Sequence, residues 1–199
     1  MARCIWVIIG LAFYAVLSLH SYAGQSQHAV AHAHGISLLT VALEGEHLAI
    51  ELRSPAMDIV GFEYTASSKE DIAAVEKASL TLNQHDNLFS LSGGGCTHVA
   101  SQVDMGGITA FKPNDKSIHD HKHEHSHAHK TDSTYTASEH RDVVAHYTYR
   151  CDKSASLSTI RVLVFDAFAA MQKINAQWVK GSTQGAATLT PGAPVIFLK

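Results

Sequence analysis

From residue 36 onward the chain alternates. "ISLLTVAL" (36–43) and "HLAIELR" (47–53) place apolar side chains at every second position on either side of Glu44-Gly45-Glu46. Alternation around a glycine turn predicts a β-hairpin. Ser54-Pro55 ends the second strand, because proline has no backbone donor, and Ile59 to Tyr64 is expected to start another. The period then changes. In "SSKEDIAAVEKASLTL" Ile72, Val75, Ser79 and Leu82 share one helical face, and Ser67 with Glu70 fits a capping box. Leu88 to Leu91 and Cys96 to Val103 read as two more strands around Gly93-Gly94-Gly95. Beyond a polar stretch, "VVAHYTYRC" (143–151), "LSTIRVLVF" (157–165), "MQKINAQWV" (171–179) and the terminal "PVIFLK" also read as strands.

The pattern predicts a mostly β (α+β) protein. Antiparallel strands fall into two weakly pseudo-repeated halves, with one helix in the first half and a long disordered His-rich insertion. The expected segments are a signal peptide at 1–23, a first β-rich half at 24–103, the His-rich loop at 104–139, and a second β-rich half at 140–199 packed on the first. In the pseudo-repeat His34 and His140 each open a strand, a hairpin partner follows, then a break (Pro55; Asp166 to Ala170), then a third strand.

The first segment carries Arg3, an apolar run from Cys4 to Leu19, and the small-x-small site Ser21-Tyr22-Ala23. These are the parts of a secretory signal peptide. The run is shorter than the ~18 residues usually read as spanning a bilayer. Removal of residues 1–23 leaves 176 of 199 residues and takes the formal charge from -3 to -4, since Arg3 is the only charged residue lost. This mild acidity argues against nucleic acid as a partner. Of the three cysteines only Cys96 and Cys151 remain, and two cysteines in an exported chain are expected to pair, two free thiols being the alternative.

The polar stretch contains "HDHKHEHSHAHK". His119, His121, His123, His125, His127 and His129 occupy every second position, with short or charged spacers. Neutral imidazole is a good ligand for Zn²⁺, Cu²⁺, Ni²⁺ and Co²⁺, and an unperturbed pKa near ~6.5 leaves the tract ready to bind at neutral pH. No apolar face accompanies the repeat, so packing does not explain it. His123-Glu124-His125-Ser126-His127 also satisfies H-E-x-x-H, but the protease chemistry of that pattern needs a rigid amphipathic helix. Phosphate-loop, nucleophile-elbow and C-x-x-C patterns are missing.

A second group of candidate ligands lies outside the tract: His32 and His34 before the first strand, His140 and His146 around the start of "VVAHYTYRC", and Asp58 and Glu63 in "SPAMDIVGFE". Two histidines and a carboxylate give three ligands, enough for Zn²⁺ with one open position. His47, His85 and His98 stand alone in the sequence and read as structural.

Taken in order, His34-Gly35, Ser54-Pro55, Asp58-Ile59-Val60-Gly61-Phe62-Glu63, Cys96, the histidine-rich insertion, Tyr147-x-Tyr149-x-Cys151, Phe165-x-x-Phe168 and Leu189-Thr190-Pro191 resemble the ZrgA-type periplasmic zinc-binding proteins. The resemblance spans essentially the whole mature chain. It implies a Gram-negative periplasmic protein, not membrane-embedded after signal cleavage. It would work in zinc acquisition with an inner-membrane zinc transporter or its binding protein. The family tends to carry histidine after the Gly-Phe-Glu run, where this chain has Tyr64. The expectation is therefore a non-enzymatic protein that captures zinc and delivers it to uptake. The alternatives are a buffer against excess Zn, Cu or Ni, and a zinc metallohydrolase.

Overall fold

In the computed structural model the described residues are 33–109 and 141–199, and His32–Lys199 form one compact unit. The predicted hairpin is present. β1 (Ile36–Glu44) and β2 (His47–Pro55) pair antiparallel from Leu38↔Arg53 to Glu44↔His47. Every second residue turns inward: Ser37, Leu39, Val41 and Leu43 on β1, Leu48, Ile50, Leu52 and Ser54 on β2. Burial of each large aliphatic side chain contributes on the order of 1.5–3 kcal/mol, and a one-residue slip would expose the whole set.

After Pro55 the chain turns into a short helix, α1 (Ala56–Val60), where a strand is expected over 59–64. Proline withdraws no helical donor at that position, and Gly61 ends the helix with φ 89°, its N–H donating to Met57 O at 3.0 Å. Only glycine adopts that conformation cheaply, so the extended run cannot propagate through it. α2 (Lys69–Leu82) is the predicted helix. Val75, Ala78 and Leu82 are buried, while Ile72 is 38% exposed. Its cap lies one residue later than the capping-box reading: Ser68 Oγ accepts the Asp71 N–H at 3.0 Å.

β3 (Phe89–Ser92), β4 (Gly94–Asp104), β5 (Asp142–Lys153), β6 (Thr159–Val162) and β7 (Lys173–Lys180) follow. The expected strand over 157–165 is cut short by α3 (Val164–Ala167). β8 (Thr183–Leu189) was not predicted; its "TQGAATL" has no strong alternation to signal it. β9 (Val195–Phe197) closes the chain. Among the described residues three α-helices rather than one therefore interrupt the strands, the added two being only five and four residues long. Among the described residues no helix is long and apolar enough to cross a membrane.

The strands form a six-stranded sheet in the order β4-β5-β2-β1-β7-β8 and a three-stranded sheet in the order β3-β6-β9. Both sequence halves supply strands to both sheets. All ladders are antiparallel except β1 with β7, which is parallel from Ile36↔Lys173 to Leu43↔Lys180. β5 pairs with β2 and β4, while β6 joins the other sheet, so β6 is not the hairpin partner of β5 that the pseudo-repeat expects. One buried cluster takes in both sheets and α2. Tyr147 of β5 is fully buried; its hydroxyl donates to Leu82 O at 2.7 Å, and its ring meets Phe89 edge-on at 5.1 Å.

Cys96 and Cys151 stand opposite each other in the β4–β5 ladder and are joined by a disulfide, 55 residues apart in sequence. Replacing both by alanine is expected to lower unfolding free energy by about 4 kcal/mol, the chain-entropy estimate for a loop of this length. Urea denaturation of oxidised wild type and double variant checks this. A loss below ~1 kcal/mol would mean that the ladder alone holds the pair.

Candidate functional site

One end of the six-stranded sheet gathers the start of β1, the end of β2, the end of β4 and the starts of β5 and β7. The registers Ile36↔Lys173, Leu38↔Arg53, Pro55↔Asp142 and Asp104↔Val144 fix this. The peptide of Gly35 is held there from both sides. Its carbonyl accepts the N–H groups of Gln172 (3.0 Å) and Lys173 (2.9 Å). Its N–H donates to both carboxylate oxygens of Asp58, at 2.8 and 2.9 Å. His34 thus projects from a backbone with little freedom. Its side chain is half exposed, and Nε2 lies 3.3 Å from Glu63 Oε1.

Glu63 is brought there by the loop after α1, where Phe62 is buried as an anchor and Gly61 reverses the chain. Asp58 is buried at 3% exposure. Burial pushes its carboxyl above the usual range, opposed by the Gly35 N–H and the nearby His34, and reinforced by the charge of Glu63. His34, Asp58 and Glu63, 29 residues apart from first to last, are therefore neighbours in space. Tyr64 stacks on Phe62 with centroids 4.7 Å apart, and its hydroxyl donates to Asp71 Oδ1 at 3.3 Å. At this position the chain supplies a phenol, and its hydroxyl is engaged with Asp71.

The insertion leaves and returns at this same end. Gly106 has φ 62°, and a Cβ on it would lie 2.0 Å from Asp142 O, so the outgoing and incoming strands approach to a distance only glycine permits. Arg141 holds them. Its guanidinium donates to Thr65 Oγ1 (2.7 Å) and to Gly107 O (2.6 Å), and its own carbonyl accepts the Ala56 N–H at 2.7 Å. Sequence reasoning passed over Arg141. The one available signal was an arginine directly at the boundary where the polar stretch gives way to apolar alternation.

The other candidates are dispersed or lie elsewhere. His32, His140 and the tract residues His119, His121, His123, His125, His127 and His129 fall outside the described residues. His146 sits in the middle of the open sheet face, with Nδ1 3.6 Å from Glu51 Oε2, its cross-strand partner. Among the described residues no three His, Cys, Asp or Glu side chains are grouped so as to hold a metal ion. The pair His34–Glu63 brings one imidazole and one carboxylate to 3.3 Å of each other.

His85 and His98, read as isolated, are stacked in the fold. Their rings are 3.6 Å apart and 11° from parallel, and Tyr149 meets both edge-on. His98 Nε2 is 2.9 Å from Ser101 Oγ, and His85 Nδ1 is 3.0 Å from Asp86 Oδ1. In-plane lone pairs of parallel rings do not converge on one ion, so this pair is a packing element. Burial, with the neighbouring His85, pushes the His98 imidazole below its ordinary 6.5.

These shapes and charges define a small, mostly β protein that draws an imidazole and carboxylates together beside the roots of a histidine-rich segment. The family model for ZrgA family zinc uptake proteins matches residues 31–198, and the chain belongs to that family. No curated protein gives a significant match.

Two outcomes are expected. Asp58→Asn keeps one acceptor oxygen for the Gly35 N–H but replaces the other by an NH2 donor facing it, costing on the order of 1–3 kcal/mol in urea unfolding; no loss would mean the second contact is dispensable. For His98 the folded state prefers the neutral ring, so the unfolded chain binds more protons. Its contribution to stability is fully present above pH 6.5 and is lost as pH falls through and below that value. Melting temperatures of His98→Gln should depend less on pH between about 7 and 5 than those of wild type. Parallel pH profiles would refute this.

Proposed function

We propose that this chain captures Zn²⁺ in the periplasm and passes it to a zinc uptake system. Membership in a zinc uptake family supports the cargo. The observation that carries the mechanism is that His34 and Glu63 lie at the same sheet end as Arg141 and Gly107, the anchors of the histidine-rich insertion. In this reading the tract from His119 to His129 supplies many weak, fast-exchanging imidazoles and raises the local zinc concentration. The folded end holds one ion more selectively.

His34 and Glu63 would be ligands there. His140, next in sequence to the clamped Arg141, and His32, two residues before His34, would complete a tetrahedral set. Asp58 acts through Gly35, fixing the backbone from which His34 projects, in the way that partners behind a metal ligand set its orientation. His146, paired with Glu51 on the open face, stands apart and would contribute at most a weak surface site. Cu²⁺, Ni²⁺ and Co²⁺ suit the same donors, so selectivity would rest on geometry and supply. The role is binding and hand-over, not catalysis. An inner-membrane zinc transporter or its binding protein would receive the ion, and the exported location follows from the leader read at residues 1–23.

Native mass spectrometry with zinc titration tests this. Replacing residues 117–131 by a Gly-Ser linker should leave the metal-free melting temperature nearly unchanged, because loop-closure entropy varies slowly with length. Zinc stoichiometry should fall by roughly one or two ions, and one site should remain. His34→Ala with His140→Ala in the shortened chain should remove that site. If the linker alone abolishes all zinc binding, the folded site does not exist. Binding should also weaken as pH falls through ~6.5, since protonated imidazole cannot ligate; equal affinity at low and neutral pH would assign the site to carboxylates.

A further inference from the structure

The two edges of the six-stranded sheet are built differently. β4 is interrupted by a register shift between His98 and Ala100, starts on two glycines with positive φ, and ends on Asp104. Bulges and charges of this kind blunt an edge against further pairing. β8 has none of them. It runs Thr183-Gln184-Gly185-Ala186-Ala187-Thr188-Leu189, without charge or proline, and pairs with β7 through seven consecutive positions with no shift. Among the described residues no strand pairs with its outer side.

A second open edge lies beside it. β9 is the edge strand of the three-stranded sheet. Between the two edges is an open cavity of about 500 Å³ lined by small and apolar residues of β7, β8 and β9, among them Trp178, Gly185 and Phe197, together with the charged Lys199. Phe197 is 63% exposed, and Val179 of the neighbouring β7 is 40% exposed. An uncharged strand edge and exposed apolar side chains therefore coincide at one side of the molecule.

We propose that β8 pairs antiparallel with β8 of a second copy of this chain, about a two-fold axis at Ala186, joining two six-stranded sheets into one. A two-fold interface needs a self-complementary patch. β8 is one. Thr183 faces the partner's Leu189, Gln184 the partner's Thr188, Gly185 the partner's Ala187, and Ala186 its own counterpart. No like charges meet across the seam. Lys180 and Lys199 both lie at the Thr183 end, where Thr183 Oγ1 donates to the carbonyls of both. The two-fold axis carries them to opposite ends of the seam. The strand offers neither a charge nor a bulky outward side chain by which a foreign peptide would be selected, so a small, uncharged strand fits it best, and its own sequence is that strand.

Analytical ultracentrifugation of the mature protein over a concentration series tests this. Wild type should sediment as a dimer. Ala186 is exposed, so Ala186→Lys and Ala186→Glu leave the core intact, which unchanged melting temperatures verify. Each variant alone should be monomeric, because like charges face each other at the axis, and an equimolar mixture should recover the dimer. A monomeric wild type overturns the proposal. So does a dimer indifferent to both substitutions, or association through β8 with a different protein only. Zinc stoichiometry per chain is independent of these outcomes, so failure here leaves the metal-binding reading standing.

Discussion

The structure depends on one pairing made against chain entropy: β4 with β5. These strands are neighbours in the large sheet, yet residues 105–141 separate them in sequence. Closing a loop of that length carries a length-dependent cost of about 3 kcal/mol. Three features offset it. The ladder aligns Gly94↔Lys153 through Asp104↔Val144. The Cys96–Cys151 bridge fastens its far end. At the near end Arg141 makes three hydrogen bonds, two from its guanidinium and one through its carbonyl. Without β4–β5, β5 would have an open side where β4 now pairs, and β5 is the strand that carries Tyr147 into the core.

The same constraint decides where the chemistry sits. A polar segment inserted between two adjacent antiparallel strands must leave and return at one end of the sheet. That end also holds the start of β1 and the turn after β2, so it receives His34, Asp58 and Glu63. Topology thereby sets imidazole and carboxylate groups beside the roots of the histidine-rich stretch. The bonds to Gly35 make this end rigid: Asp58 grips its N–H, while β7 grips its carbonyl. On the proposed reading, a rigid sheet end beside a histidine-rich stretch would let capture and retention be separate tasks.

Much of the fold was legible along the chain, and the legible parts share a physical cause. Alternation in 36–43, 47–53 and 143–151 reports one buried and one wet face, and those strands formed with the expected faces inward. The helix over 69–82 was legible because its period changes. The misses share a cause too. The run from Ile59 to Tyr64 looks extended until Gly61 takes positive φ and closes α1. β8 was invisible because its half-buried positions are Gly185, which lies against the Trp178 ring, and Ala187, both with almost no side chain, so hydrophobic contrast is absent.

By itself the sequence determined composition and covalent possibility: a polar stretch with histidine at every second position, Cys96 and Cys151 able to pair, and strands whose apolar faces demand cover. These are local properties, set by side-chain chemistry and period. Only the tertiary structure decided which distant residues meet. The parallel β1–β7 ladder, the stack of His85 on His98, the grip of Asp58 on Gly35 and the clamp of Arg141 on Thr65 join residues between 13 and 137 positions apart. No local pattern encodes such contacts. They follow from strand order and register, which are settled when the whole apolar surface is buried at once.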